Sequence, residues 1–181
     1  KNEGMIHRSS PVQIPGTQWA NVTMGRLGGP YATKTDGTLW SWGHRNYGAT
    51  GQDDNVFRSS PTQIPGTQWG TADGKVSGKF YGCSAIKTDG TLWIWGLSDF
   101  GQAGQNARQD HRSSPVQVPG TQWDSLFDFN YQVFATKTNG TLWVWGYNDS
   151  GSMLGLNNRA HRSSPTQLPG TSWGTITGQQ T

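Results

Sequence analysis

Arg-Ser-Ser-Pro occurs four times, opening at Arg8, Arg58, Arg112 and Arg162, so the spacings are 50, 54 and 50 residues. Each copy runs on through a glutamine into Pro-Gly-Thr-x-Trp, which ends at Trp19, Trp69, Trp123 and Trp173. A second block, Lys-Thr-(Asp/Asn)-Gly-Thr-Leu-Trp-x-Trp-Gly, starts at Lys34, Lys87 and Lys137, and the two blocks hold all ten tryptophans. A period of this length belongs to arrays in which one unit cannot bury its own apolar face and relies on its neighbours. Counted from Arg-Ser-Ser-Pro there are three full units, 8–57, 58–111 and 112–161, and a truncated fourth, 162–181.

Composition limits what such units can be. The chain has 26 glycines in 181 residues, and Glu3 is its one glutamate. Good helix formers are scarce beside Gly, Thr, Ser and aromatics, which points to an all-β chain rich in turns. Hydrophobic residues make up 31%, so the core must lean on large aromatic side chains. The net charge of +3 comes from scattered Lys and Arg with no basic run, which argues against a nucleic-acid surface. Cys83 stands alone and excludes an intramolecular disulfide. No apolar stretch approaches the ~20 residues of a membrane helix. Lys1 is no initiator and no signal peptide follows, so the chain reads as a processed or partial product.

The second block reads as a hairpin. Asp36-Gly37, Asp89-Gly90 and Asn139-Gly140 are dipeptides favoured in two-residue type I′ turns, where both central residues need positive φ. That turn sets Thr33 against Trp40 and Tyr31 against Trp42 on one face, with Lys34/Leu39 and Ala32/Ser41 on the other. The next units give Ile86/Trp93 and Ala85/Ile94, then Thr136/Trp143 and Ala135/Val144. A hairpin apolar on both faces needs a neighbour on each side, as stacked propeller blades provide. Trp40, Trp42, Trp93, Trp95, Trp143 and Trp145 are therefore candidate core residues.

Pro-(Val/Thr)-Gln-(Ile/Val/Leu)-Pro is extended by its prolines and suits an edge strand. One further strand is expected in each of 20–31, 70–84 and 124–134. Four strands in roughly 50 residues make one blade. The serine pairs read as turn formers.

These motifs resemble those of the regulator-of-chromosome-condensation repeat family. Trp42-Gly43, Trp95-Gly96 and Trp145-Gly146, and the Gly-Gln-Ala-Gly at 101–104, carry the likeness over nearly the whole chain. The resemblance implies a β-propeller, typically seven-bladed, of which this chain supplies about three four-stranded blades plus a partial fourth. The Arg-Ser-Ser-Pro and Pro-Gly-Thr-x-Trp flavour is similar to repeats of bacterial surface and phage virion proteins. Three features depart from the pattern. The histidine often found before the hairpin is missing, 48–51 reads Gly-Ala-Thr-Gly, and 151–155 carries an extra residue. No insertion resembles the wedge of the nuclear exchange factor, so that activity is not carried over.

No catalytic constellation emerges. His7, His111 and His161 precede Arg-Ser-Ser-Pro on separate units, where loop packing outweighs metal binding, and His44 lies alone in a glycine loop. Asp53-Asp54-Asn55 lacks the ligand spacing of a calcium loop. Asp36 and Asp89 belong to turns, and Cys83 is a small hydrophobe without a nearby histidine. Trp19, Trp69, Trp123 and Trp173 are the tryptophans with most chance of partial exposure, though packing between blades suits them too. No cofactor or metal is expected.

The expected function is non-enzymatic: a binding or scaffold module of a virion or bacterial surface assembly, extracellular or virion-borne. Its partners would be protein, either a same or neighbouring chain that completes the propeller or a surface receptor. Variable loops 45–57, 97–110 and 147–160 form the candidate partner surface, with Arg45, Tyr47, Asp53, Phe100, Arg108, Tyr147 and Arg159 at its centre. A protein-docking enzyme inhibitor and a lectin-like propeller with one glycan site per blade are the competing readings. Nucleic acid and a membrane span are not expected.

Overall fold

A computed structural model describes residues 9–149 and 153–176. His7 and Arg8, and part of the 151–155 loop, lie outside the described residues.

Among the described residues, twelve strands form three antiparallel four-stranded sheets, the three blades. Blade 1 is β1 (Trp19–Gly25), β2 (Gly29–Lys34), β3 (Leu39–Gly43) and β4 (Arg58–Gln63). Blade 2 is β5 (Val76–Lys79), β6 (Gly82–Ile86), β7 (Leu92–Gly96) and β8 (Arg112–Gln117). Blade 3 is β9 (Trp123–Phe129), β10 (Gln132–Lys137), β11 (Leu142–Gly146) and β12 (Arg162–Gln167). In each the strands lie in chain order, and β5 touches β1 on one side and β9 on the other. First strands therefore meet near the propeller axis, and the proline-bearing fourth strands form the outer edges.

The sheets are cut out of phase with the sequence units. Arg-Ser-Ser-Pro closes the blade before it, so 162–167 completes blade 3 and does not open a fourth. The start of a fourth blade is Trp173–Ile176. Trp173 N donates to Gly140 O at 3.0 Å, as Trp123 N does to Gly90 O at 3.0 Å one blade earlier. Three of the serine pairs are also corrected: they lie in β4, β8 and β12, whereas Ser9-Ser10 lies in a bend.

The hairpin turn differs from the type I′ expectation by one residue. Lys34 N donates to Thr38 O at 2.9 Å and Gly37 N to Lys34 O at 3.0 Å, so the loop holds three residues, Thr35, Asp36 and Gly37. Gly37, Gly90 and Gly140 have φ near +77, +77 and +75, whereas Asp36, Asp89 and Asn139 do not have positive φ. This is a type I turn followed by one left-handed residue, the common three-residue hairpin. Asp36 is held out of the left-handed region because its Oδ1 accepts from Thr38 N (2.9 Å) and Thr38 Oγ1 (2.7 Å). Trp40 Nε1 in turn donates to Thr38 Oγ1 at 2.8 Å, and the same relay recurs through Asp89–Thr91–Trp93 and Asn139–Thr141–Trp143.

A slip of one residue changes every partner. Ala32 pairs with Trp40 and Thr33 with Leu39, Ala85 with Trp93 and Cys83 with Trp95, Ala135 with Trp143 and Val133 with Trp145. Each blade thus has a tryptophan face and a leucine face. Both faces stay apolar under this change in pairing, and in blade 2 both are covered by neighbours.

Stacking buries one kind of face against the other. Tyr31, Leu39 and Ile64 of blade 1 pack on Trp69, Cys83, Ala85 and Trp95 of blade 2. Ile86, Leu92, Ile94 and Val118 of blade 2 pack on Trp123, Leu126, Val133, Ala135 and Trp145 of blade 3. Burying an indole removes roughly 200 Å² of surface from water, which is worth on the order of 5 kcal/mol before entropy is charged against it. Each join is also pinned by a hydrogen bond from indole to loop. Trp95 Nε1 donates to Ala49 O at 3.1 Å, and Trp145 Nε1 to Gln102 O at 2.9 Å.

Candidate functional site

The loop after each Trp-Gly reaches across to the next blade. Tyr47, with φ of 57° in the short 3-10 turn Asn46–Gly48, lies 5.1 Å from the Tyr81 ring and 4.9 Å from His111. One blade on, Phe100 lies 5.3 Å from Tyr131 and 5.1 Å from His161. Close approach of the loop depends on glycine. A Cβ on Gly48 would sit 2.3 Å from Ser113 Cα, and one on Gly101 2.4 Å from Ser163 Cα. No side chain fits there.

Phe80 joins the two sets, with its ring 5.1 Å from both Tyr81 and Tyr131. Tyr147 continues the series, 4.8 Å from Phe100 and stacked on His161 at 5.0 Å. His44 adds a ring 5.7 Å from Tyr81. The result is one ribbon of aromatic rings crossing all three blades at the end that carries the Trp-Gly loops. Arg26 lies over Phe80 at 5.7 Å and donates to Asn130 Oδ1 at 3.2 Å, which ties blade 1 to blade 3.

The ribbon is anchored yet open. His111 Nδ1 accepts from Ser98 N (3.1 Å) and His161 Nδ1 from Asn148 N (3.0 Å), so both histidines anchor loops. His111 Nε2 also lies 3.6 Å from Asp99 Oδ1. Tyr47 is 44% exposed, and Phe80, Tyr81, Phe100, Tyr131 and Tyr147 are half-buried. Partial burial, with the Asp99 carboxylate as the lesser cause, raises the Tyr131 hydroxyl above the usual phenol range. Tyr131 thus presents a neutral hydroxyl, while Arg26 and Arg45 stand exposed on the surface.

The candidate surface residues separate into three groups. Tyr47, Phe100 and Tyr147 come together in the ribbon. Arg45, Arg108 and Arg159 are exposed loop residues outside the ring contacts. Asp53 is exposed and also latches one blade to the next. Its N donates to Ser113 O at 2.8 Å, and its Oδ1 accepts from Ser113 Oγ at 2.8 Å. Asn106 repeats the latch on Ser163 one blade later, through N to O at 2.8 Å. Asp54 is taken up by Arg58 at 2.5 Å.

Sequence reasoning missed Phe80, Tyr81 and Tyr131. The available signal was periodic: Tyr81 and Tyr131 occupy the same repeat position, just before the first strand of the hairpin. Of the Pro-Gly-Thr tryptophans, Trp69 and Trp123 are buried at 1% and 2% exposure, Trp19 is half-buried, and Trp173 is exposed at 44%. Three lysines cap these indoles from the opposite end. Lys34, Lys87 and Lys137 lie 5.0, 4.8 and 4.6 Å over the rings of Trp19, Trp69 and Trp123.

One buried polar cluster lies near the axis. Asp128 Oδ1 accepts from Ser84 Oγ at 3.1 Å and Asp128 N donates to Ser77 Oγ at 2.9 Å. Lys79 Nζ donates to Leu97 O at 3.3 Å. Burial pushes the Asp128 carboxyl up to about 7 and the Lys79 ammonium down to about 8, and each opposes the other's shift. Burial also raises the Cys83 thiol beside them. The cluster is closed to solvent, with Asp128 and Cys83 at 0% exposure and Lys79 at 2%. It offers no route for a substrate. Among the described residues no group of His, Cys, Asp and Glu has the geometry of a metal site, and no helix is long and apolar enough to cross a membrane.

Comparison with solved structures assigns the fold class. Human WBSCR16 matches 90% of this chain at 22% identity, with a TM-score of 0.69. Prp20p of Saccharomyces cerevisiae, reported with its binding properties to Gsp1p and histones, matches 86% at 16% identity and 0.70. A structure of Kap60 bound to yeast RCC1 (Prp20) matches 90% at 16% identity and 0.71. These neighbours are RCC1-like proteins, and at such identities the likeness shows the fold, a propeller of the chromosome-condensation-regulator type. This chain spans 40%, 39% and 40% of their respective lengths. No family profile matches the sequence, and no curated protein sequence matches it.

Proposed function

We propose that the chain is a non-enzymatic, protein-binding propeller segment whose partner docks on the aromatic ribbon. The ribbon carries this reading. Tyrosine, phenylalanine and arginine on a preorganised surface lose little entropy on binding, and such residues dominate hot spots in protein interfaces. The RCC1-like neighbours supply a parallel, since the reports on Prp20 concern binding to Gsp1p, histones and Kap60. A bacterial surface or virion setting is our reading of the repeat flavour. The lectin alternative needs a matching polar set beside an exposed tryptophan in every blade. Trp69, Trp95, Trp123 and Trp145 are buried, which favours a protein partner.

The test is a pull-down from host envelope extract with wild-type and Tyr47→Ala/Phe100→Ala baits, beside a glycan array. Truncating hot-spot rings removes about 2 kcal/mol or more of affinity. Loss of the captured protein with an unchanged melt supports the proposal. Equal capture by both baits, or array binding that survives the substitutions, overturns it.

A further inference from the structure

Blade 1 displays uncovered the face that blades 2 and 3 bury. Val22, Val76 and Leu126 hold one register position, opposite Ala32, Ala85 and Ala135. Val22 is 62% exposed, whereas Leu126 is 2% exposed. Trp42 is half-buried where Trp95 and Trp145 are 0% exposed. Trp95 and Trp145 donate to loop carbonyls of the preceding blade, and no acceptor for Trp42 is found among the described residues. A hollow of ≈ 380 Å³ opens between Ile14, Trp19, Val22 and Trp42.

Blade 3 carries the complementary half. Leu142, Val144 and Leu154 form its leucine face, with Phe134, Leu156, Leu168 and Ile176 half-buried around them. Gly51 and Gly104 have Trp95 and Trp145 lying on them, yet the nearest atoms to a Cβ on Gly155 belong to Leu168 alone. Among the described residues, no indole lies on Gly155. Part of the seat for a first strand is held by Trp173–Ile176, attached through Trp173 N to Gly140 O (3.0 Å) and Ile176 N to Ser125 Oγ (3.3 Å).

We infer that the tryptophan face of blade 1 docks on the leucine face of blade 3 of a second copy of this chain, head to tail, displacing Trp173–Ile176. The occupant follows from continuity: the chain already makes this join twice, with the same residue types in the same register. Incoming Trp19 and Val22 replace Trp173 and Ile176, which sit at the same repeat positions. Incoming Trp42 reaches the 153–155 loop as Trp95 reaches Ala49. The incoming 9–14 segment duplicates 163–168 and lies in no strand, so it swings clear. This face is separate from the aromatic ribbon, and the inference does not rest on the partner proposed there.

The test is sedimentation velocity on the full chain over a roughly hundredfold concentration range, since interfaces of ordinary size span micromolar to far tighter affinities. The wild type should grow with concentration. Ile176→Asp, which loosens the strap from the seat, should associate at roughly tenfold lower concentration, one tenfold step being about 1.4 kcal/mol. Val22→Lys, at an exposed position, should stay folded by circular dichroism and monomeric. Leu156→Arg should be monomeric alone, yet mixing it with Val22→Lys should give a 1:1 dimer, because one good face survives on each. A strict monomer for both wild type and Ile176→Asp overturns the inference. So does Val22→Lys associating like wild type, or a mixture that stays monomeric.

Discussion

Trp42 in blade 1 and Trp95 in blade 2 stand at the same place in the same motif, preceded by Leu-Trp-x and followed by glycine. Trp95 is 0% exposed, packs edge-on against Tyr31 at 6.0 Å and donates to Ala49 O. Trp42 contacts Trp19 at 6.2 Å and keeps part of its surface in water. The contrast is sharper on the first strands. Met24 and Asp128 occupy equivalent positions, opposite Pro30 and Val133. The apolar residue is 62% exposed and the charged one is buried. Burial in this fold is thus a property of the join between blades, because a single blade is one layer thick and has no inside of its own.

Cavity formation in the covered join should give the largest effect. Trp95→Ala should cost about 3–5 kcal/mol, and Trp42→Ala less than half as much, read as denaturation midpoints at constant slope. Equal losses would break the comparison. Next is the buried charge. Lys79→Met leaves Asp128 without its compensating cation and should destabilise the fold more at about pH 8 than at about pH 5, where the carboxyl holds a proton, whereas the double variant Lys79→Met/Asp128→Asn should recover much of the loss at the higher pH. Failure of the double variant to recover would show that the pair is not coupled.

Titration gives a finer check on the same carboxyl. Asp128 is raised from 3.8 to about 7, so the folded state holds a proton that the unfolded chain has released within that window. Its contribution to stability must therefore fall as pH rises from 3.8 to about 7. Asp128→Asn should flatten that stretch of the stability profile, and an unchanged slope would place the titration elsewhere.

Glycine substitutions separate the open end from the covered join. Gly51 and Gly155 have φ of +69 and +70, so Ala costs each about 1 kcal/mol in backbone strain. A Cβ on Gly51 would also meet Trp95 Nε1 at 2.9 Å, whereas on Gly155 it meets Leu168 at an ordinary 3.5 Å. Gly51→Ala should therefore be clearly the worse in a thermal melt. The smallest contrast should be none. Thr38 and Thr91 hold the Asp36 and Asp89 carboxyls below the usual range by hydrogen bonding, so each stabilises its turn at neutral pH and loses that effect as pH falls through its folded value. Asp36→Ala and Asp89→Ala should shift the acid limb equally, because the turn is local and does not sense the next blade.

Much of the architecture was legible in the repeat. The period, the strand count, the glycine-closed hairpins and the two apolar faces all follow from spacing and residue type, since they are local or periodic. The turn was misread by one residue because Asp-Gly serves both two- and three-residue loops. What decides between them is the Asp–Thr–Trp relay, whose threonine lies outside the turn dipeptide. The ribbon was half legible. Tyr47, Phe100 and Tyr147 lie in variable loops, but Tyr81 and Tyr131 come from another part of the repeat and meet them only across a blade boundary.

The four copies of the outer-strand segment separate what the sequence determines from what tertiary structure decides. Arg-Ser-Ser-Pro-x-Gln recurs at 8–13, 58–63, 112–117 and 162–167. The last three are β4, β8 and β12, each paired with the third strand of its own blade. The described part of the first, 9–13, is no strand, and Ile14 just after it is 43% exposed where its equivalents Ile64 and Val118 are at 0%. The sequence sets the extended geometry, through proline and the residue before it. Whether that extended segment becomes a strand depends on a ladder beside it, because an isolated β-segment has no partner for its backbone N–H and C=O groups and no face to bury.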